Sequence, residues 1–403
     1  MQLFQPCTVG KIAINNRIIR SATHDGLADA SGFPSEMLIR KYRYLAQNDV
    51  GCIIAGYAMI NDVGCSNYPR ALKLYGAGAA DAYRKLTDAV HACGTPIVAQ
   101  IAHCGRQTSS KAIGMRKLAP SAKRHLLYPD KARAMSIEEI LATTDDFVRA
   151  IETARDAGFD GVQLHAGHGY LLHDFISANG NRRKDAYGGS LENRCRILRD
   201  ILDKARAVVG DFPIWIKLSA TDRRKRGMRI PYAIQVCRLL RDYGIDAIEV
   251  SCGSVQDGMN TMRSRRFPMP AIFRYREPLA SMPKALNRLT LACASAVNPL
   301  IPQPKPLRNF NLPAALAIKR AVDLDIVCVG GIADLNDMQS ALEQGVDAVS
   351  MCRPFICEPN FARKLKEGRV TRSQCVMCNY CGLVIEKSPT RCFMGKLPKP
   401  HRP

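Results

Sequence analysis

The segment HAGHGYLL, residues 165–172, places two histidines and a tyrosine close together in a chain that has only eight histidines. Two imidazole N–H groups can hold one substrate oxygen and polarise a carbonyl or nitro group. Tyr170 can donate a proton, because a phenol titrates near pH 10. The alternatives are histidines satisfied within the core, or a metal site, although no carboxylate stands next to them. We predict that His165, His168 and Tyr170 are catalytic.

The elements that would position these residues alternate regularly. Short apolar runs are each followed by an amphipathic stretch, such as 36–48, 137–157, 191–209 and 335–345, and Ser136 with Glu139 predicts a capping box. Such alternation predicts a parallel sheet, and eight units predict an α/β fold, a (β/α)8 TIM barrel. The apolar runs are 17–22, 51–56, 96–103, 161–166, 213–219, 247–253, 326–331 and 348–353.

The polar residues and glycines at the strand ends should meet at one face of the barrel, where active sites of this fold lie. The loops after the last two strands form the usual phosphate site, and Arg353 would add a forked positive charge there. Together these groups predict a flavin-phosphate pocket. Besides the catalytic set, the pocket residues are Ser21, Ala22, Thr23, His24, Gly56, Gln100, Lys217, Gly330, Gly331, Cys352 and Arg353.

Two of these side chains match the flavin ring in particular. Gln100 offers both a donor and an acceptor, as a flavin pyrimidine edge requires. Lys217 could stabilise negative charge on a reduced flavin, or it could be a surface lysine whose stem covers apolar residues. Two insertions, at about 104–135 and 254–311, follow strand ends, and they either wall the substrate site or form surface loops.

The chain resembles the Old Yellow Enzyme family, the NADH:flavin oxidoreductases. The resemblance is carried by NRIIRSAT (16–23), QIAHCGR (100–106), the long motif at 159–194, IVCVGGI (326–332) and SMCRPF (350–355). It implies an FMN-bound barrel that NAD(P)H reduces, and hydride transfer from the flavin to an electron-poor C=C bond. It also implies that the two histidines bind the activating oxygen and that the tyrosine donates the proton.

The same resemblance implies further cofactor contacts and shows four departures. Gln100 matches the contact to the pyrimidine edge, and residues 21–24 line the isoalloxazine. His24 stands where Thr or Cys is frequent, and Lys217 replaces the usual Arg near flavin N1. Cys352 replaces a common Gly before the phosphate-binding Arg, and Gln163 replaces a common Glu. Lysine keeps the charge of arginine but loses its fork geometry.

The tail carries a second motif, Cys375-x2-Cys378-x2-Cys381-x10-Cys392. Four cysteines so spaced can bind a [4Fe–4S] cluster or zinc, and the compact first three favour iron–sulfur. The larger relatives, similar to 2,4-dienoyl-CoA reductase and trimethylamine dehydrogenase, carry such a cluster after the barrel. Zinc or free thiols remain alternatives.

These motifs predict two parts, a barrel over residues 1–365 and a cysteine-rich tail over 366–403. The larger relatives continue into flavodoxin-like and nucleotide-binding domains, which we do not expect in this chain. If the cluster forms, a separate electron-donor protein is expected to reduce it. If it does not form, NAD(P)H would reduce FMN directly.

Bulk composition is that of a globular protein, with 47% hydrophobic and 23% charged residues. No long apolar run predicts a membrane span, and the first residues lack the core of a signal peptide, so a cytoplasmic protein is expected. The twelve cysteines outside the tail motif are then expected to be mostly small buried side chains. We also expect a homo-oligomer.

The net charge of +22 favours anionic partners or is only a basic surface. No block of five or six consecutive basic residues occurs, which argues against nucleic acid. An anionic or CoA-linked small substrate with salt-sensitive binding is therefore expected.

The leading interpretation is an ene-reductase acting on an enone or enoyl thioester. An amine dehydrogenase or demethylase is a neighbouring alternative. A tRNA-dihydrouridine synthase would need a catalytic cysteine on the HAGHGYLL loop and a helical RNA-binding tail, which we do not find. A redox sensor or electron-transfer protein would not need the intact set of two histidines and Tyr170.

Overall fold

The computed structural model describes residues 2–125, 128–276 and 279–397. Short parts of both predicted insertions, at 126–127 and 277–278, lie outside the described residues. Residue 1 and the end of the predicted tail, 398–403, do so as well.

Eight parallel strands form a closed barrel, as the alternating pattern predicts. Each strand pairs with the next, β8 pairs with β1, and β4 closes on β3 through the register Gly161↔Val98 to Leu164↔Ile101. The strands are β1 Ile18–Arg20, β2 Cys52–Ile54, β3 Ile97–Ala102, β4 Gly161–Ala166, β5 Ile214–Ser219, β6 Ala247–Ser251, β7 Asp325–Val329 and β8 Ala348–Met351.

A short antiparallel hairpin, Cys7–Val9 with Ile12–Ile14, closes the amino-terminal end of the barrel. The buried indole of Trp215 donates a hydrogen bond to the Gly10 carbonyl, 3.0 Å away. Gly10 has φ +50°, and a Cβ there would stand 2.4 Å from the indole nitrogen. The turn therefore requires glycine, and this end is filled by side chains.

In the described part of the chain, eight helices surround the barrel. Ser35 and Ser190 cap the first and fourth helices, Asp334 caps the seventh, and the capping box of Ser136 and Glu139 is present as predicted. The helices are α1 Glu36–Ala46, α2 Ala79–His91, α3 Ile137–Asp156, α4 Leu191–Val209, α5 Ile230–Asp242, α6 Leu312–Lys319, α7 Leu335–Glu343 and α8 Phe361–Lys366.

Further short elements lie mainly in the loops after the strands and in the tail. None of the helices that the structure describes is long and apolar enough to cross a membrane. The extra helices are Ser110–Ile113, Leu171–Ile176, Met269–Tyr275, Lys284–Val297, Arg353–Cys357 and Tyr380–Leu383. The extra strands are Ala58–Met59, Leu72–Lys73, Leu118–Ala119, Arg124–His125, Tyr128–Lys131 and Arg133–Ala134. The 3-10 turns are Gln2–Phe4, Val255–Asn260, Leu279–Ser281, Asn298–Leu300 and Val384–Glu386.

A buried ion-pair network fixes the loop after β1. Arg20 Nη2 donates to both oxygens of Asp25, at 3.0 and 2.9 Å, and Lys41 lies 2.6 Å from the same carboxylate. The Tyr42 hydroxyl donates to Asp25 and accepts from the Gly56 backbone N–H. Burial alone would raise the pKa of Asp25, but the charges of Arg20 and Lys41 hold it well below its ordinary value.

Loss of the carboxylate at position 25 should therefore be costly. We expect Asp25→Ala to lower the free energy of unfolding by about 3–5 kcal/mol, because Arg20 would be left buried without its partner. The control Asp81→Ala removes the exposed partner of Arg84 and should cost less than about 1 kcal/mol. Denaturant unfolding measures both changes. An equal loss of unfolding free energy in the two variants would contradict the role of Asp25 as the buried partner of Arg20.

Candidate active site

The structure brings His165, His168 and Tyr170 together at the carboxyl end of β4. The His165 ring centroid lies 5.2 Å from that of His168 and 4.5 Å from that of Tyr170. Tyr170 is also the N-cap residue of the helix Leu171–Ile176. The loop therefore turns back on itself and presents the three side chains as one cluster.

His168 is held by contacts from three neighbouring loops and strands. It has φ +59°, and its backbone N–H donates to the Ser219 hydroxyl, 3.0 Å away. Gln107 donates to the His168 carbonyl at 2.9 Å, and the Ser251 hydroxyl lies 2.8 Å from Nε2. An otherwise rare left-handed backbone is stabilised by these bonds, which fix where the ring points.

Burial sets the protonation of this cluster. It lowers the pKa of both histidines well below the ordinary value, and the positive charge of Lys217 adds to the effect. Burial raises the pKa of Tyr170 above its ordinary value. At neutral pH the imidazoles are uncharged and the phenol is protonated. His165 Nδ1 is buried and has no hydrogen-bond partner among the described residues, so it is available to a ligand.

Aromatic rings form a wall beside the cluster. Tyr57 lies 5.7 Å from Tyr170 and 5.6 Å from His24, measured between ring centroids. The Tyr68 ring centroid lies 5.4 Å from that of His24, and burial lowers the pKa of His24 to about 4. This wall includes the segment 21–24, which the resemblance places along the isoalloxazine. Tyr57 was not predicted from the sequence.

Lys217 is buried inside the barrel, and it is not a surface lysine. Its ammonium lies 2.9 Å from Glu249 and donates to the Ser21 hydroxyl at 2.8 Å. Ser21 and Ser350 in turn donate to Glu249 at 2.7 and 2.6 Å. Burial alone would raise the pKa of Glu249, but the Lys217 charge and these hydrogen bonds lower it. The positive charge is therefore fixed by a carboxylate on the neighbouring strand.

Two glutamines extend this network to the next strands. Gln100 donates to Gln163 at 2.6 Å, and Gln163 donates to Glu249 at 3.0 Å. Gln163 thus orients the amide of Gln100. Glu249 is absent from the predicted site, although an acid in the apolar strand AIEVS, one strand from Lys217, is a readable signal for a buried pair.

The predicted phosphate residues also lie close together, beneath the segment that precedes α6. Gly330 and Gly331 have φ +129° and +77°, and a Cβ on either would stand within 3 Å of the Phe310 ring. Arg353 donates to the Arg263 carbonyl at 2.8 Å, and the Asn379 side-chain oxygen accepts from it at 2.6 Å. Thr23 donates to Cys352 Sγ at 3.1 Å. The second insertion thus packs over this end of the site.

The four tail cysteines are partly buried and lie beside the barrel. Burial raises the pKa of Cys375, and the nearby thiols of Cys378 and Cys392 add to the rise. Burial likewise raises the pKa of Cys381, next to Cys352. Among the described residues, no group of three or more His, Cys, Asp or Glu side chains is arranged to hold a metal ion. The predicted metal ligands therefore stay a prediction.

Comparison with known proteins identifies the family. A model of the NADH:flavin oxidoreductase / NADH oxidase family matches residues 2–294. The chain belongs to this family. It is an enzyme, a flavin-dependent oxidoreductase of the Old Yellow Enzyme type, with FMN and NADH or NADPH as cofactors.

The curated relatives differ in length. The 4,4'-dithiodibutanoate disulfide reductase of Rhodococcus erythropolis is 28% identical over 394 residues, which cover 97% of this chain and 94% of the relative. The NADH oxidase of Thermoanaerobacter brockii is 28% identical over 400 residues, but this chain spans only 56% of it. The NADPH dehydrogenase of Bacillus subtilis is 32% identical over 262 residues, covering 63% of this chain and 74% of the relative.

Solved structures confirm the barrel. The old yellow enzyme homologue from Zymomonas mobilis has a TM-score of 0.71 and 27% identity, covering 94% of this chain and 96% of its own. A 2-naphthoyl-CoA reductase in complex with 2-naphthoyl-CoA has a TM-score of 0.81 and 23% identity, covering 98% of this chain and 56% of that chain. The second likeness supports the fold alone.

The buried pair within the barrel gives a stability prediction. Glu249→Gln should lower the free energy of unfolding by about 3 kcal/mol, since Lys217 would remain buried without a counter-charge. The pKa of Glu249 is lowered in the folded protein. The stability that Glu249 contributes is therefore complete above the unfolded carboxyl pKa of about 4.3, and it is lost as the pH falls below that value. The difference between wild type and variant should therefore narrow in acid.

The control for this measurement is Glu343→Gln, at an exposed helical position. Denaturant unfolding at several pH values should show little change for this variant. If the free energies of unfolding of wild type and Glu249→Gln differed by the same amount at neutral and acidic pH, that result would argue against the ion pair.

Proposed function

We propose that the protein reduces a C=C bond conjugated to a carbonyl, in an enone or an enoyl thioester, with NAD(P)H as the electron source. The carrying observation is the convergence of two neutral imidazoles, one buried and one half-buried, and one protonated phenol at the end of β4. Such a reduction needs two hydrogen-bond donors to the carbonyl oxygen and a separate general acid that protonates the carbon next to the carbonyl.

The residues present suit FMN. When bound, FMN supplies a hydride for the substrate. Gln100, oriented by Gln163, would contact the pyrimidine edge, and Lys217 would place its fixed positive charge near flavin N1. The remaining proposed contacts are Ser21, Ala22, Thr23, His24, Gly56, Gly330, Gly331, Cys352 and Arg353.

In this proposal His165 and His168 donate hydrogen bonds to the substrate oxygen. Because both are neutral and desolvated, their N–H groups stabilise charge that develops on the oxygen without first releasing water. Tyr170, held against Tyr57, then donates its proton to the carbon next to the carbonyl. Burial of His165 and Tyr170 keeps bulk water away from the reacting atoms.

A second candidate is the reduction of an organic disulfide. One relative, which matches over 97% of this chain and 94% of its own length, is named for a disulfide reductase reaction. Splitting a disulfide into two thiols takes one hydride and one proton, which Tyr170 would donate. Turnover of 4,4'-dithiodibutanoate compared with an enone distinguishes the two candidates.

For the tail we propose a [4Fe–4S] cluster on Cys375, Cys378, Cys381 and Cys392. The four thiols lie partly buried at one side of the barrel, and Met377 and Asn379 take left-handed conformations between them. A separate electron-donor protein would serve this cluster.

The proton donor is tested by Tyr170→Phe. This variant should slow substrate reduction by the reduced enzyme about 10²–10⁴-fold, because it removes the general acid alone. Reduction of the flavin by NAD(P)H should be unchanged. Tyr44→Phe, at an exposed tyrosine, is the control. Stopped-flow measurement of the two half-reactions separates these effects, and full turnover by Tyr170→Phe would overturn the proposed role.

The tail is tested by metal analysis of anaerobically purified protein. We expect about four irons per chain, as four cysteine ligands imply, and their loss in Cys378→Ser. Cys293→Ser removes an exposed cysteine outside the tail and should keep the iron. Zinc in place of iron, or no metal in wild type, would contradict the cluster.

A further inference from the structure

Buried polar atoms without hydrogen-bond partners concentrate beside the two active-site histidines. They come from the loops after β3, β5 and β6 and from the helix after β4. An unpaired buried donor costs free energy, so such a concentration marks the place of a ligand. Among the described residues these atoms are Arg106 Nη1, Thr108 Oγ1, His173 Nδ1 and Ser254 Oγ, together with Arg224 Nε, whose one partner is an ion-pair contact with Asp257 at 3.5 Å.

The same place carries excess positive charge. The buried Arg106 donates from Nε and Nη2 to Asp174, at 2.5 and 2.7 Å, and its Nη1 has no hydrogen-bond partner among the described residues. Arg224 lies 3.5 Å from Asp257. Lys123 donates to the Asn179 carbonyl at 2.7 Å, and no carboxylate of the described residues forms a salt bridge with it. Four cations, Arg106, Lys123, Arg182 and Arg224, thus lie near three carboxylates, Asp174, Asp222 and Asp257.

The cations are close enough to affect one another. Burial, then the positive charges of Arg106 and Arg182, lowers the pKa of Lys123 to about 8. Burial and the charge of Arg106 also lower the pKa of Arg224. A bound anion would relieve this repulsion and satisfy the free donors.

These cations adjoin the catalytic residues. Gln107, next to Arg106, donates to the His168 carbonyl at 2.9 Å. Asp174, the partner of Arg106, lies on the short helix that Tyr170 caps. Ser254, in the loop that holds the Arg224 partner Asp257, forms a β-bridge with His168. A molecule bound by the histidines could therefore reach the cations.

We propose that Arg106, Lys123 and Arg224 bind an anionic group of the substrate, a carboxylate or a phosphate, while His165 and His168 hold its reacting carbonyl. The proposal rests on the proposed enone reduction and names the substrate class for it. Specificity would come from the remote charge and reactivity from the carbonyl end.

The test compares cinnamaldehyde bearing a para-carboxylate with its neutral methyl ester, on the FMN-loaded enzyme. We expect wild type to have a kcat/KM about tenfold or more higher for the acid, because a charge-assisted bond is lost in the ester. Lys123→Gln and Arg224→Gln should each remove most of this preference, and the ester should change less than about twofold. Lys225→Gln, which removes an exposed charge from the same loop, is the control.

The pH profile adds a readout that a purely structural role would not give. The ratio of kcat/KM for the carboxylate substrate to that for its methyl ester should fall as pH rises through about 8, where Lys123 loses its proton. Lys123→Arg should keep the preference at higher pH, because arginine stays charged. A preference that is absent in wild type, or equal in all variants, would overturn the proposal. A change confined to the KM for NADPH would assign the cations to the coenzyme and also overturn it.

Binding without turnover separates this proposal from the proposed function. Inorganic phosphate and benzoate should raise the melting temperature of wild type. The variants Lys123→Gln and Arg224→Gln should each reduce that rise, and Lys225→Gln should not. If neither aldehyde is reduced but these shifts appear, the anion site stands and enone reduction fails. If both aldehydes are reduced equally and no shift appears, enone reduction stands and the anion site fails.

Discussion

Closure of the barrel is the constraint on which the rest of the site depends. The hydrogen-bonded register between β3 and β4 sets Gln100 beside Gln163, and the register between β4 and β5 sets His165 beside Lys217. Because all eight barrel strands are parallel and β4 closes on β3, their carboxyl ends must meet in one ring. Residues far apart in sequence are thereby fixed within hydrogen-bond distance before any ligand binds.

Charge inside the barrel is arranged in a way that differs from the family pattern implied by the resemblance. Position 163, where a Glu is common, carries Gln, and the buried carboxylate is instead Glu249 on β6. It pairs with Lys217, which stands where an Arg is usual. The pair keeps one fixed positive charge beside the proposed flavin position and a neutral amide next to Gln100. Both departures are thus parts of one network.

The sequence predicts the eight strands and the histidine–tyrosine cluster well, because hydrophobic period and strand-end position are local signals. It does not predict Glu249, since the pairing of an acid with Lys217 depends on which strands are neighbours and on their register. It also does not predict that Phe310 packs on Gly330, because a long insertion has no periodicity to fix its path. The packing of the second insertion over the predicted phosphate residues is therefore a property of tertiary structure.

The division of roles between FMN and Tyr170 is tested most directly by where deuterium enters the product. An enone with a methyl group on its α-carbon would be reduced in D2O with unlabelled NADH, and the product examined by NMR. We expect one deuterium on the α-carbon, on a single face, because Tyr170 delivers a solvent-derived proton from a fixed position. Equal labelling of both faces, or no reduced product, would contradict the assignment of the site.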